Sequence, residues 1–168
     1  MKVTLEEVNL MNQPHFTQVF GWVFEHSPWV AEESWKQRPF STLADLHLVM
    51  VHTVENAPFS KQLDLLRAHP KLAARVPMTS ISKQEQSGVG LDRLTQTEYD
   101  EFLSLNQAYQ EKFNFPFIMA VRGQSKEKIL IAIKERLKHS VEVEFKQALQ
   151  EIYQIARFRL NDIVKEGS

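Results

Sequence analysis

The chain contains no cysteine. That excludes a disulfide framework, thiolate metal sites and a cysteine nucleophile. Glycine is scarce, at five residues in 168. Four of them, Gly88, Gly90, Gly123 and Gly167, fall between or after segments of helical pattern. Alternating strand-like runs bounded by turn dipeptides are missing. No apolar run approaches the ~20 residues needed to span a bilayer. The N-terminal MKVTLEEVNLMNQPHF lacks the apolar core of a signal peptide, and its glutamates are unsuited to a transit peptide. The C-terminal VKEGS carries no peroxisomal tripeptide. An excess of one charge is also missing. Lys and Arg number 20 against 21 Asp and Glu, a formal net charge of −1. No general attraction for nucleic acid or an anionic membrane follows. There is no phosphate loop, no dinucleotide fingerprint and no G-x-S-x-G. His47 and His52 are five apart, not the four that share a helical face, and no carboxylate triad accompanies them, so a zinc site is rejected. These absences point to a cytoplasmic protein.

What is there reads as one all-α domain over 1–168, an irregular helical bundle of about seven to nine helices. The length suits a single core. Phe16, Val19, Phe20, Val23 and Phe24 mark one face of a helix over about 14–25. Ser27 followed by Pro28 is a helix start, with serine as N-cap and proline at the first position. That helix ends near Pro39, since the residue before a proline disfavours helix. Thr42 with Asp45 resembles a capping box and opens a helix through Leu43, Leu46, Val49, Met50 and Val54. Pro58 starts another, with Leu63, Leu65 and Leu66, which runs out at His69-Pro70. A less regular segment reaches about Leu94. Thr95 with Glu98 makes a second capping box, and Tyr99, Phe102, Leu103, Asn106, Tyr109 and Phe113 share the face of the long helix it opens. Pro116 interrupts that helix. Ser125 and Ser140 cap two more. The last carries a buried stripe of Phe145, Ala148, Leu149, Ile152, Ile155, Ala156 and Ile163.

The reactive side chains group in Arg67 to Leu94, which holds His69, Ser82, Glu85 and Gln86. Pro70 forces His69 to a helix end. There an imidazole with a pKa near ~6.5 can give or take a proton at neutral pH, or simply complement the helix dipole. Ser82-x-x-Glu85 fits a capping box that does nothing else. It also fits a pair in which Glu85 orients His69 while Ser82 and Gln86 bond a polar ligand. Arg159 lies on the apolar stripe of the last helix, so its guanidinium needs a buried acceptor. The bland readings are an internal salt bridge or a side chain that snorkels to the surface, and the sharper one is a substrate carboxylate. Arg157 is turned off the stripe and reads as solvated.

Several stretches together carry a more specific signal. FGWVFEHSPWVAEESWKQRPF, LLRAHPKLAARV, SKQEQSGVGLDRL, LNQAYQEKFNFPFIMAVRG and IARFRLNDIV occur in this order. In order and spacing they resemble the 2-oxo-4-hydroxy-4-carboxy-5-ureidoimidazoline (OHCU) decarboxylases. The resemblance covers nearly the whole chain. It implies a cofactor-free homodimer that takes a small ureidoimidazoline substrate to (S)-allantoin. It implies a catalytic His69 beside Glu85. Substrate-contacting positions would be Pro70, Ser82, Gln86, Phe117, Ile118, Met119, Ala120 and Val121, with Arg159 at the substrate carboxylate. The main chain of Ile118 and Ala120 is expected to read the ring amides. The rival reading is a non-enzymatic helical interaction module whose aromatic junction, Pro28, Trp29 and Phe40, binds a partner helix.

Overall fold

Thr4 opens the first regular element through its side chain. Its hydroxyl accepts the Glu7 N–H at 3.1 Å while the Glu7 carboxylate takes the Thr4 N–H, a complete capping box. The helix it starts, α1 (Leu5–Leu10), was not expected from hydrophobic spacing, because at six residues it is too short to show a period. The computed structural model describes residues 2–73 and 80–165. Part of the less regular segment expected after His69, and the last three residues of VKEGS, therefore lie outside the described residues.

The chain forms two units: residues 1–68 with 153–168, and residues 69–152. The first unit contains β1 (Val3–Thr4), α1, α2 (Gln13–Phe20), α3 (Trp29–Trp35), α4 (Leu43–Glu55) and α5 (Phe59–Ala68). It also takes the C-terminal half of α9 (Val141–Ile163) and β2 (Val164–Lys165). The two strands pair in parallel, Val3 against Val164. The second unit contains α6 (Ser80–Gly88), α7 (Gln96–Phe113), α8 (Lys126–Arg136) and the first half of α9. The fold is all-α apart from this two-residue ladder, with nine helices among the described residues.

In the first unit Phe16 packs on Phe20 and Phe40, with ring centroids at 4.7 and 6.0 Å. Phe40 is held by two hydrogen bonds between its main chain and the Asn9 side chain, at 2.7 and 2.9 Å. Phe40 is thus part of the core and not a surface for a partner helix. The spacing Leu43, Leu46, Met50 and Val54 is buried along α4 as read from sequence. Thr42 accepts the Asp45 N–H, but the Asp45 carboxylate reaches back to Ser41 instead of Thr42. In the second unit Tyr109 is the centre of an aromatic group. Phe113 tilts against it at 4.4 Å, and Phe117 meets its edge at 5.4 Å. Thr95 and Ser125 cap α7 and α8 as expected. Leu103 departs from the expected buried face and is 53% exposed.

The helix expected over 14–25 stops at Phe20. Trp22 and Val23 direct their carbonyls to the Arg159 guanidinium, each at 3.2 Å, so those oxygens are not given to helical N–H groups. A tertiary contact here overrides local helical preference. Ser27 does not cap α3. Its hydroxyl donates to the Glu25 carbonyl at 3.0 Å.

Candidate active site

His69 is the first residue past α5, as Pro70 requires, and is 7% exposed. The chain after it is fixed from two helices. Gln86 of α6 accepts the Ala73 N–H on Oε1 at 2.9 Å. Asn106 of α7 donates Nδ2 to the Leu72 carbonyl at 2.8 Å. Ala73 adopts φ 62°, a left-handed conformation that costs a residue with a Cβ ~1–2 kcal/mol. Two buried side chains holding one short stretch of backbone explain how that conformation persists.

Ser82 is the third residue of α6, not its N-cap. The capping-box reading of Ser82-x-x-Glu85 is therefore corrected: a residue inside the helix does not occupy the cap. Positions 82, 85 and 86 instead share one helical face. Ser82 and Gln86 are buried, and the Glu85 side chain is 13% exposed. A polar triplet turned inward is unusual for a nine-residue helix, whose buried face is ordinarily apolar. Glu85 Oε2 lies 3.6 Å from Nη2 of Arg122, which follows directly on the 117–121 segment.

That segment leaves α7 through Asn114, a left-handed C-cap at φ 63°. Phe117, Ile118, Ala120 and Val121 are buried, and Met119 is half-buried. Its main chain is held at three points. Arg136 Nη1 donates to the Ile118 carbonyl at 2.5 Å. The Ala120 N–H donates to Glu151 at 3.0 Å. The Gln124 N–H donates to the Val121 carbonyl at 2.9 Å. No hydrogen bond joins the N–H or carbonyl of Met119 to another described residue, and the same is true of the Ile118 N–H and the Ala120 carbonyl.

Behind the segment lies a buried charged network that sequence reading missed. Glu144 has no exposed surface. It accepts from Arg136 Nε at 2.7 Å, from the Tyr109 hydroxyl at 2.5 Å and pairs with His139 Nδ1 at 2.8 Å. Burial, followed by the bond to Glu144, raises the Tyr109 hydroxyl far above its ordinary pKa, so it stays a donor. The Arg136 guanidinium also sits over the Phe117 ring at 4.5 Å. The signal was available. Arg136 follows Ile129 and Ile133 at helical spacing, and Glu144 precedes Ala148 by four. Each is a charge on an apolar stripe, the argument that singled out Arg159.

The second unit thus holds His69, Pro70, Ser82, Glu85, Gln86 and Phe117 to Val121. Arg159 belongs to the first unit. There it is 1% exposed, bonds the Trp22 and Val23 carbonyls, and stands 3.7 Å from Glu25. His47, also in the first unit, bonds the Tyr153 carbonyl at 2.8 Å, and burial chiefly lowers its pKa. Among the described residues no group of three or more His, Asp or Glu is arranged to hold a metal ion. Among them, too, no helix is long and apolar enough to cross a membrane.

The family model for OHCU decarboxylase matches residues 9–161. The chain is 44% identical over 159 residues to the 2-oxo-4-hydroxy-4-carboxy-5-ureidoimidazoline decarboxylase of Haloferax volcanii, covering 95% of both chains. It is 48% identical over 163 residues to the uric acid degradation bifunctional protein of Bacillus subtilis, covering 97% of this chain and 33% of that one. The chain therefore spans about a third of the length of such bifunctional relatives. The crystal structure of an (S)-allantoin synthase superposes with a TM-score of 0.76 at 32% identity, over 95% of this chain and 54% of the other.

Proposed function

We propose, since this chain belongs to the OHCU decarboxylase family, that it removes CO2 from 2-oxo-4-hydroxy-4-carboxy-5-ureidoimidazoline and releases (S)-allantoin. The substrate carbon bearing the carboxylate also bears a hydroxyl and adjoins a ring C=N. When the bond to CO2 breaks, its electron pair enters that C=N, and the nitrogen takes up a proton. The enol so formed loses its hydroxyl proton while the neighbouring carbon gains one. The substrate is its own electron sink, so the reaction needs no cofactor to hold the charge.

The protein's part is to hold the substrate and move protons. His69 exchanges the hydroxyl proton, and Glu85 fixes the tautomer of His69 or bonds the ureido N–H groups. Ser82, Gln86 and the main chain of 117–121 read the amides, with Pro70 against the ring. Arg159 is assigned to the carboxylate by its place in IARFRLNDIV, not by a contact. Positioned acid–base help of this kind contributes about 10²–10⁴-fold. Proton delivery to one face makes a single enantiomer. With this reading go a homodimer and a cytoplasmic location.

The observation that carries the proposal is the 117–121 segment, in which the N–H and carbonyl of Met119, the Ile118 N–H and the Ala120 carbonyl bond no other described residue, in the same unit as His69 and the inward-facing Ser82, Glu85 and Gln86. Amide-rich ligands match such main chain, because each amide offers a donor beside an acceptor. The test is circular dichroism of freshly generated OHCU as it decays. Uncatalysed decay gives racemic product, so an excess of (S)-allantoin is expected with the protein present. Racemic allantoin at the uncatalysed rate overturns the proposal.

A further inference from the structure

Two charged side chains from different helices close on the same three residues of main chain. Arg136 of α8 holds the Ile118 carbonyl, and Glu151 of α9 holds the Ala120 N–H. Each is supported behind. Arg136 is paired with the fully buried Glu144, and Gln147 donates to the second oxygen of Glu151 at 2.9 Å. The buried Arg136 and Glu144 need each other as partners, and both the Arg136 and the Glu151 anchor end on one short run of peptide groups. Between the two anchors, Met119 offers an N–H and a carbonyl that bond no other described residue.

We infer that Arg136 and Glu151 are positioning residues, which fix the 118–120 peptides so that the main chain of Met119 meets a ring amide of the substrate. The inference rests on the decarboxylase reading. A fixed peptide and a cyclic amide pair by reciprocal hydrogen bonds, as two antiparallel strands do. Movement of either anchor would turn the Met119 peptide and lose that match. Ring amides remote from the departing CO2 bind alike in ground and transition states. Loss of the match therefore raises KM and leaves kcat nearly unchanged.

Glu151 is half-buried, and its replacement leaves the Glu144 network intact. Glu151→Leu removes the acceptor, whereas Glu151→Gln keeps an oxygen for the Ala120 N–H. The expected result for Glu151→Leu is a KM raised about tenfold, the worth of one charge-assisted hydrogen bond, with kcat changed less than about threefold. Glu151→Gln should recover most of that KM. Arg136→Lys keeps the charge facing Glu144 but loses the fork that also reaches Ile118, and should raise KM in the same way. Wild-type protein in the same assay reports the enantiomeric excess. Racemic product from wild type overturns both the reading and the inference. An excess of (S)-allantoin from wild type, with unchanged KM in Glu151→Leu or with kcat as the parameter that falls, overturns the inference alone.

Discussion

The side-chain carbonyl of Gln86 accepts the N–H of Ala73 at 2.9 Å, and Ala73 sits in left-handed backbone four residues after His69. A helix carrying three of the candidate site residues, Ser82, Glu85 and Gln86, thereby sets the path of the chain leaving His69. Gln86→Leu should lower melting and turnover together, because the buried N–H loses its partner at a cost of about 1–3 kcal/mol. Differential scanning calorimetry and the OHCU assay check this. Unchanged melting would show that the Ala73 bond is dispensable.

His69→Ala should lose turnover by about 10²–10⁴-fold while keeping the helical circular-dichroism spectrum. His69→Asn should keep affinity for allantoin in calorimetry. Near-normal rates in either variant would remove His69 from the chemistry.

Glu85→Gln keeps the shape of the side chain and removes its charge. If the carboxylate orients His69, turnover should fall by about a hundredfold with unchanged melting. Arg122→Met separates this from the ion pair. Arg122 is a third exposed and 3.6 Å away, and such a screened pair is worth about 1 kcal/mol or less. Equal losses in the two variants would assign the effect to the pair.

Arg159→Met should lower stability strongly, since removing one partner of a buried ion pair costs about 3–5 kcal/mol. Adding Glu25→Gln should restore part of it, because the stranded carboxylate is then gone. Urea unfolding measures both, and a wild-type midpoint for Arg159→Met would refute the buried pair as a structural element.

Burial lowers the pKa of His47 from 6.5. The unfolded chain therefore binds this proton more readily than the folded one, so stability is full above pH 6.5 and declines as pH falls below it. His47→Gln should flatten that decline. Melting temperatures at pH 7.5 and at about pH 5.5 decide it, 5.5 being one unit below the ordinary histidine pKa, and an unchanged difference between the two would rule out His47 as its source.

The helices were legible where a period or a cap was long enough to read. The stripes on α4 and α9 and the caps Thr95 and Ser125 are examples. The end of α2 was not, because what stops it is Arg159, 137 residues from Trp22 in sequence. Among the site residues, the position of His69 followed from Pro70 alone. That Ser82 lies inside its helix could not be read from spacing, since S-x-x-E fits a helix start and a helix interior equally. The Arg136–Glu144 pair was missed although each residue interrupts an apolar stripe.

The first unit is assembled from both ends of the chain: Val3 pairs with Val164, and Glu25 with Arg159. During synthesis the ribosome delivers every residue of the second unit before the segment that completes the first has been made. The helices before residue 69 are completed only when the segment carrying Arg159 and Val164 emerges. Stalling translation shortly before Arg159 would hold the nascent chain in that half-built state, with the first unit rather than the second exposed to chaperones and proteases.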